Sequence, residues 1–278
     1  MSSIAAALRD ARQTIPPNEA RLLLGHLLGR NAAWLEAHRD EELEQADAAR
    51  FADLVRRRAA GEPVAYLLGV REFYGRDFAV SPAVLIPRPE TELLVDLAKT
   101  AVAGIESPRI LDLGTGSGCV AVTLALEVPQ AEVTALDFSV GALEVARANA
   151  EFLGARVRFL HSDWFAALNY ERFDLIVANP PYIAVDDPHL SQGDLRFEPE
   201  LALHCGADGL DAIRRIVVES AQHLRRGGRL YFEHGYNQGT AAATLLAGEG
   251  YEDIVQHLDL AGIPRVSGGA LTGDEVGR

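Results

Sequence analysis

Apolar residues recur along this chain with two different periods. Up to about residue 72 the spacing is helical. In NEARLLLGHLLG (Asn18–Gly29) the leucines repeat three and four positions apart, with Asn18 placed to cap the start and Gly29 the end. LEQADAARFADLVRRRAAG (Leu43–Gly61) carries the pattern further, with Ala46, Leu54 and Val55 near one face and a closing glycine. Helices joined this closely predict a small bundle. Residues 73–89, FYGRDFAVSPAVLIPRP, change character. Aromatic and β-branched residues around Gly75 and Pro82 predict a hairpin or an extended linker.

From residue 90 short apolar blocks alternate with helical stretches. The spacing predicts helices over Glu90–Ala103, Val120–Glu127, Gly141–Leu153 and Asp211–Leu224, with one more before Tyr251. Strands are predicted at RILDL (Arg109–Leu113), EVTALD (Glu132–Asp137), VRFLHSD (Val157–Asp163), FDLIVA (Phe173–Ala178), RLYFEH (Arg229–His234) and YEDIVQHL (Tyr251–Leu258). Such alternation means an α/β fold with a doubly wound parallel sheet. The tail, with Pro264, Val266 and several glycines, predicts an antiparallel edge strand. The expected organisation is a helical bundle over 1–72, a hairpin or linker over 73–89 and an α/β domain over 90–278.

Composition narrows the classes. The 278 residues are 48% hydrophobic and 24% charged, the balance of an ordinary globular protein. The net charge of −14 opposes non-specific binding to a nucleic-acid backbone. Lys99 is the only lysine, and Arg56-Arg57-Arg58 reads as one solvated helix face. Cys119 and Cys205 are far apart and lack metal spacing, so neither a disulfide framework nor a zinc site is expected. Arg9, Asp10 and Arg12 interrupt the apolar start, and no run of about 18 apolar residues exists to span a membrane. The cytoplasm is the expected location.

The candidate chemistry gathers at predicted strand ends. LDLGTGSG (Leu111–Gly118) lies at the first strand-to-helix turn, where doubly wound sheets bring a nucleotide-like ligand to the backbone. Gly114, Thr115, Gly116, Ser117 and Gly118 form that turn. Asp137 ends the second strand, placed for two ribose hydroxyls. NAD and S-adenosylmethionine enzymes share this arrangement, and the turn alone leaves both open. Asp163 and Trp164 follow the third strand. They suit an adenine amino group and an adenine face, or equally a helix cap and a core indole.

After the fourth strand comes Asn179-Pro180-Pro181-Tyr182. Two prolines end the strand and fix the direction of Asn179, whose amide both accepts and donates. An apolar strand followed by Asn-Pro-Pro-Tyr resembles the signature of methyltransferases that act on planar amide or exocyclic amino nitrogens, and the resemblance implies that the Asn179 side-chain oxygen and the Pro180 carbonyl each accept one N–H of that NH2 group and turn its lone pair toward the methyl donor. Tyr182 is expected to close one wall. Asn179 thus belongs to the substrate-binding set and to the cofactor rim. In IPRPETE (Ile86–Glu92), Glu90 and Glu92 read as helix-start carboxylates, and Glu198 reads as a surface ion-pair partner. His189, His204 and His234 show no ligand spacing.

IPRPETE, DLGTGSG, SDWF (Ser162–Phe165), NPPY and FEPELAL (Phe197–Leu203) occur in an order that resembles the peptide chain release factor glutamine methyltransferases, the PrmC/HemK group. The resemblance spans essentially the whole chain. It implies an S-adenosylmethionine-dependent methyltransferase fold behind a helical domain that docks class I release factors. It also implies methylation of the glutamine amide in their Gly-Gly-Gln motif, with S-adenosylhomocysteine as the second product and no nucleic acid or membrane as partner. Two other readings compete with it. NPPY also occurs in adenine N(6)-methyltransferases of DNA or RNA, which flip their target base. A non-catalytic binding module would keep the bundle but not an intact glycine turn, Asp137 and NPPY.

Overall fold

The structure, a computed structural model, describes residues 2–272. Residues 273–278 of the expected α/β domain lie outside them. The chain forms two compact units. One is built from the chain up to Val70 together with Gln192–Phe197, the other from Arg71–Ser191 and the chain from Glu198 onward.

The first unit holds α1 (Ile4–Ala11), α2 (Pro17–Leu28), α3 (Ala32–Ala37), α4 (Gln45–Ala59) and α5 (Val64–Leu68). Side chains of Ser3 and Asn31 accept backbone N–H groups at the starts of α1 and α3. α2 begins at Pro17, so Asn18 lies inside the helix instead of capping it. Proline at that position sacrifices no hydrogen bond, because its N–H would be unpaired anyway. Gly29 ends α2 at φ 62°, in the left-handed region that glycine enters without penalty. Leu23 and Leu24 are fully buried against Ile4, Leu35 and Phe51. The three arginines of α4 do not form one solvated face. Arg58 is half-buried, donates to Glu19 at 2.6 Å and reaches Asp194 at 3.2 Å. Arg57 pairs with Glu62, and Arg56 with Asp53.

A hairpin follows, β1 (Val70–Phe73) and β2 (Arg76–Ala79), which belongs to the second unit from Arg71 onward. Tyr74 and Gly75 turn it at φ 53° and 72°, the paired positive values that a tight hairpin requires. Phe73 and Phe78 are fully buried and meet edge to face, which makes the hairpin part of this unit's core and not a linker. A 3-10 turn (Pro89–Thr91) leads into α6 (Glu92–Ala101). There follow β3 (Arg109–Leu113), α7 (Cys119–Glu127), β4 (Glu132–Asp137), α8 (Val140–Leu153), β5 (Val157–His161) and β6 (Phe173–Ala178). The chain continues through α9 (Glu200–Leu203), α10 (Asp211–His223), β7 (Leu224–Glu233), α11 (Gly239–Gly248), β8 (Glu252–Leu258) and β9 (Pro264–Ala270).

The seven-stranded sheet runs β5-β4-β3-β6-β7-β9-β8. β3 to β7 pair in parallel, and β9 is antiparallel to both its neighbours. The antiparallel strand expected in the tail is therefore present but lies one place inside the edge, which β8 forms. β9 fits there because it is nearly bare: a Cβ on Gly268 would lie 2.1 Å from the Tyr231 ring. Alternate residues of β3 serve the two faces of the sheet. Ile110 joins a core with Val95 and Leu124, while Leu111 and Leu113 join one with Ile176 and Ile213. Strand order reverses between β3 and β6, and the sheet opens a crevice at the carboxyl ends there.

Candidate active site

That crevice is a cleft of about 470 Å³. The ends of β3, β4, β5 and β6 all reach it. Register puts Leu113 beside both Leu136 and Ala178, so the glycine turn, Asp137 and Asn179 follow neighbouring strand ends.

The three glycines of the turn do different things. Gly114 and Gly116, at φ 69° and 56°, face open space, where a Cβ would meet no atom within 4 Å. They line the cleft. Gly118 does not line it. A Cβ there would sit 3.1 Å from the Ala146 methyl, so this glycine lets α7 approach α8. Asn149 of α8 steadies the turn from behind: its Nδ2 donates to the Ser117 carbonyl at 2.8 Å, and its amide pairs with Ala79 of the hairpin.

Two carboxylates stand under the turn. Asp137 accepts the Gly116 N–H and the Ser139 N–H, each at 2.8 Å. Burial pushes its carboxyl upward, against the pull of those amides. Asp112 is buried and accepts from the Thr115 hydroxyl at 2.6 Å. Burial, with Asp137 nearby, pushes its carboxyl up to about 7, although the Thr115 hydroxyl opposes this.

Asp163 and Trp164 both line the cleft. Asp163 makes no capping bond to the 3-10 turn after it, and instead accepts from Arg215 at 2.8 Å. Trp164 is held at φ 49°, where few residues other than glycine settle. Ser162 supports that geometry by donating to the Trp164 carbonyl at 2.6 Å and accepting from the Ala167 N–H.

In NPPY, Asn179 and Pro181 line the cleft, and Pro180 is buried. Asn179 Nδ2 donates to the Thr91 hydroxyl at 3.1 Å. Tyr182 is not part of the cleft lining; its hydroxyl donates to Glu233 at 3.1 Å. Its carbonyl accepts from Gln238 at 2.9 Å. Burial and the Glu233 carboxylate push the Tyr182 phenol well above its ordinary value.

IPRPETE and FEPELAL meet here. Glu198 is not at the surface: its side chain is fully buried, ion-paired with Arg88 and bonded to the Ile86 N–H at 3.2 Å. Arg88 and Thr91 line the cleft, while Glu92 turns back to accept the Tyr74 N–H at 2.8 Å. Downstream of NPPY, Ile183 pairs with Leu203 and Cys205, which closes the loop between the two motifs.

Several lining residues carried no sequence signal. Phe138, exposed beside Asp137, is one, and His204, which shows no ligand spacing in the sequence, is another. Thr91 is a third, and its partner Glu233 lies behind it, outside the cleft lining. A lone carboxylate ending the apolar run RLYF was a visible oddity, but nothing in the sequence named its partner. Among the described residues no helix is long and apolar enough to cross a membrane.

Residues 1–69 match the family described as the PrmC N-terminal domain, and residues 89–192 match the methyltransferase small domain. A release factor glutamine methyltransferase of Bordetella pertussis is 54% identical over 258 residues, 92% of this chain and 96% of the relative. One from Xylella fastidiosa is 48% identical over 98% of this chain and all of the relative. A methyltransferase from Pyrococcus furiosus shares the fold at a TM-score of 0.56 and 17% identity, covering 80% of this chain and all of that one. With identity this high over nearly the full length of two relatives, the chain belongs to the release factor glutamine methyltransferase family.

Proposed function

We propose that this protein transfers a methyl group from S-adenosylmethionine to the side-chain amide nitrogen of the glutamine in the Gly-Gly-Gln motif of class I release factors. The products are N(5)-methylglutamine and S-adenosylhomocysteine. Family membership supplies the acceptor, and one observation carries the local chemistry: the Nδ2 of Asn179 is engaged by Thr91, which leaves Oδ1 to face the cleft as an acceptor. Asn179 Oδ1 and the Pro180 carbonyl each take one N–H of the acceptor amide. Pro180 and Pro181, which follow Asn179, hold them still, so little reorganisation is needed at the moment of reaction. Both oxygens also favour positive charge developing on that nitrogen.

The residues present fit S-adenosylmethionine. Gly114 and Gly116 leave open space beside the backbone, Asp137 offers spare lone pairs to a ribose diol, and Trp164 offers a flat apolar face beside Asp163. When bound, the cofactor supplies an electrophilic methyl on a cationic sulfur. One glutamine side chain offers few contacts, so specificity needs remote surface. The helical N-terminal unit, residues 1–72, is assigned that docking role. The cytoplasm, where release factors work, is the assigned location.

Labelled S-adenosylmethionine offered with a class I release factor, its Gly-Gly-Gln→Gly-Gly-Ala variant and an adenine-containing duplex tests the reading. Label is expected on the intact factor alone. Label on the duplex would replace glutamine by a flipped adenine as the acceptor. Asn179→Ala should bind the cofactor normally and lose turnover by about a hundredfold or more; normal turnover would remove Asn179 from the mechanism.

A further inference from the structure

The first and last residues of NPPY are joined by two residues that lie far away in sequence. Glu233 ends β7 beside Asn179, because its predecessor Phe232 pairs with Ala178. Its Oε1 accepts from the Tyr182 hydroxyl at 3.1 Å and its Oε2 from the Thr91 hydroxyl at 2.7 Å. Thr91 Oγ1 in turn accepts from Asn179 Nδ2 at 3.1 Å. Thr91 and Glu233 are each 2% exposed.

We infer that Thr91 and Glu233 are positioning residues that fix which way the Asn179 amide faces. An amide can rotate by a half turn and exchange its oxygen for its NH2 at little cost in shape. In the wrong orientation Asn179 presents two donors to an acceptor group that is itself a donor, and the site is useless. The chain of bonds forbids that orientation. Both Glu233 oxygens are engaged as acceptors, Oε1 by the Tyr182 hydroxyl and Oε2 by the Thr91 hydroxyl, so Glu233 takes the single proton of Thr91. Thr91 is then left with lone pairs alone on the side of Asn179, and only the NH2 end satisfies them. Oδ1 is thereby turned into the cleft. Tyr182 fills the other oxygen of Glu233, which keeps that buried carboxylate fully occupied. Asn179 is therefore oriented by Glu233 acting through Thr91 of IPRPETE, while Tyr182 of the same NPPY motif occupies the other Glu233 oxygen.

The inference rests on Asn179 holding the acceptor amide, and its test separates the two. Thr91→Val keeps the shape and deletes the hydroxyl; Thr91→Ser restores it. Both are compared with Asn179→Ala in the full chain, measuring cofactor Kd, and kcat and KM for a class I release factor. Thr91→Val is expected to lower kcat by about ten- to a hundredfold with KM and cofactor Kd unchanged, and Thr91→Ser to recover most of it. A purely structural role would move KM and Kd as well and would not single out the hydroxyl. Wild-type kcat in Thr91→Val beside an inactive Asn179→Ala overturns the positioning role and spares the reading of Asn179. An active Asn179→Ala overturns both. Should Thr91→Val lose cofactor binding, Glu233→Met decides. It removes both acceptors while keeping the volume, so a lowered kcat is expected and a wild-type kcat refutes the chain of bonds.

Discussion

Replacing Asp112 by Asn should stabilise the protein above neutral pH and change little in acid. The carboxyl is buried, and its folded-state pKa of about 7 stands against an ordinary value of 3.8. Between those two values the folded chain keeps a proton that the unfolded chain has released. Stability from this group is therefore complete below the ordinary carboxylate range and falls as pH rises toward 7. At roughly 1.4 kcal/mol per pH unit, a gap of about three units costs the wild type about 4 kcal/mol in all. Asn cannot ionise, yet its side-chain oxygen can still accept from Thr115, so the variant escapes the penalty and keeps the bond. Urea denaturation of both proteins across this pH range measures the difference directly. Asp137 and Glu233 are also pushed upward by burial, but they titrate in both proteins and largely cancel in the comparison. Parallel curves would mean that Asp112 stays ionised throughout. A variant less stable at high pH would mean that its charge is needed by the fold. The same titration reaches the cofactor, because a cation in the cleft favours the carboxylate form. Binding to the wild type should tighten as pH rises through 7, and Asp112→Asn should flatten that slope.

Two further substitutions probe the cleft and its support. Asp137→Ala should weaken cofactor binding by about ten- to a hundredfold in calorimetry, the loss of two hydroxyl bonds to a carboxylate; an unchanged Kd would contradict the ribose assignment. Arg88→Met removes the guanidinium paired with the fully buried Glu198 carboxylate and should cost about 2–4 kcal/mol in urea denaturation. Adding Glu198→Gln should recover much of that loss, whereas an Arg88→Met variant of wild-type stability would mean the pair contributes nothing.

The central parallel strands β3, β4 and β6 were legible because they are buried on both faces. FDLIVA has one half-buried polar residue, Asp174, and its other positions are buried, which is what a continuous apolar block records. β9 was harder to place. PRVSGGA has few apolar side chains, and its glycines read as a loose edge when they are in fact the condition for lying against Tyr231. The glycine turn shows the same ambiguity inside one motif: Gly116 opens the cleft and Gly118 packs a helix, and nothing in G-x-G-x-G tells them apart.

The site divides along the same line. Asn179, Asp137 and the turn could be read because each ends a strand or starts directly after one, and every such end reaches one rim. Thr91 and Glu233 are separated by 142 positions. Only the packing of α6 against β6 and β7 brings them together. A carboxylate at a strand end and a threonine in a proline-rich turn both look like solvent-facing residues when read locally. Their burial is the evidence against that, since a buried ionisable group needs partners for every oxygen. Glu198 follows the same rule with Arg88 and Ile86. In both cases a segment far from the glycine turn holds a residue beside it, so IPRPETE and FEPELAL act as a frame around NPPY. Under the proposed role of Asn179, that frame is what lets a half-exposed asparagine at a strand end keep its NH2 on Thr91 and offer its oxygen to the acceptor.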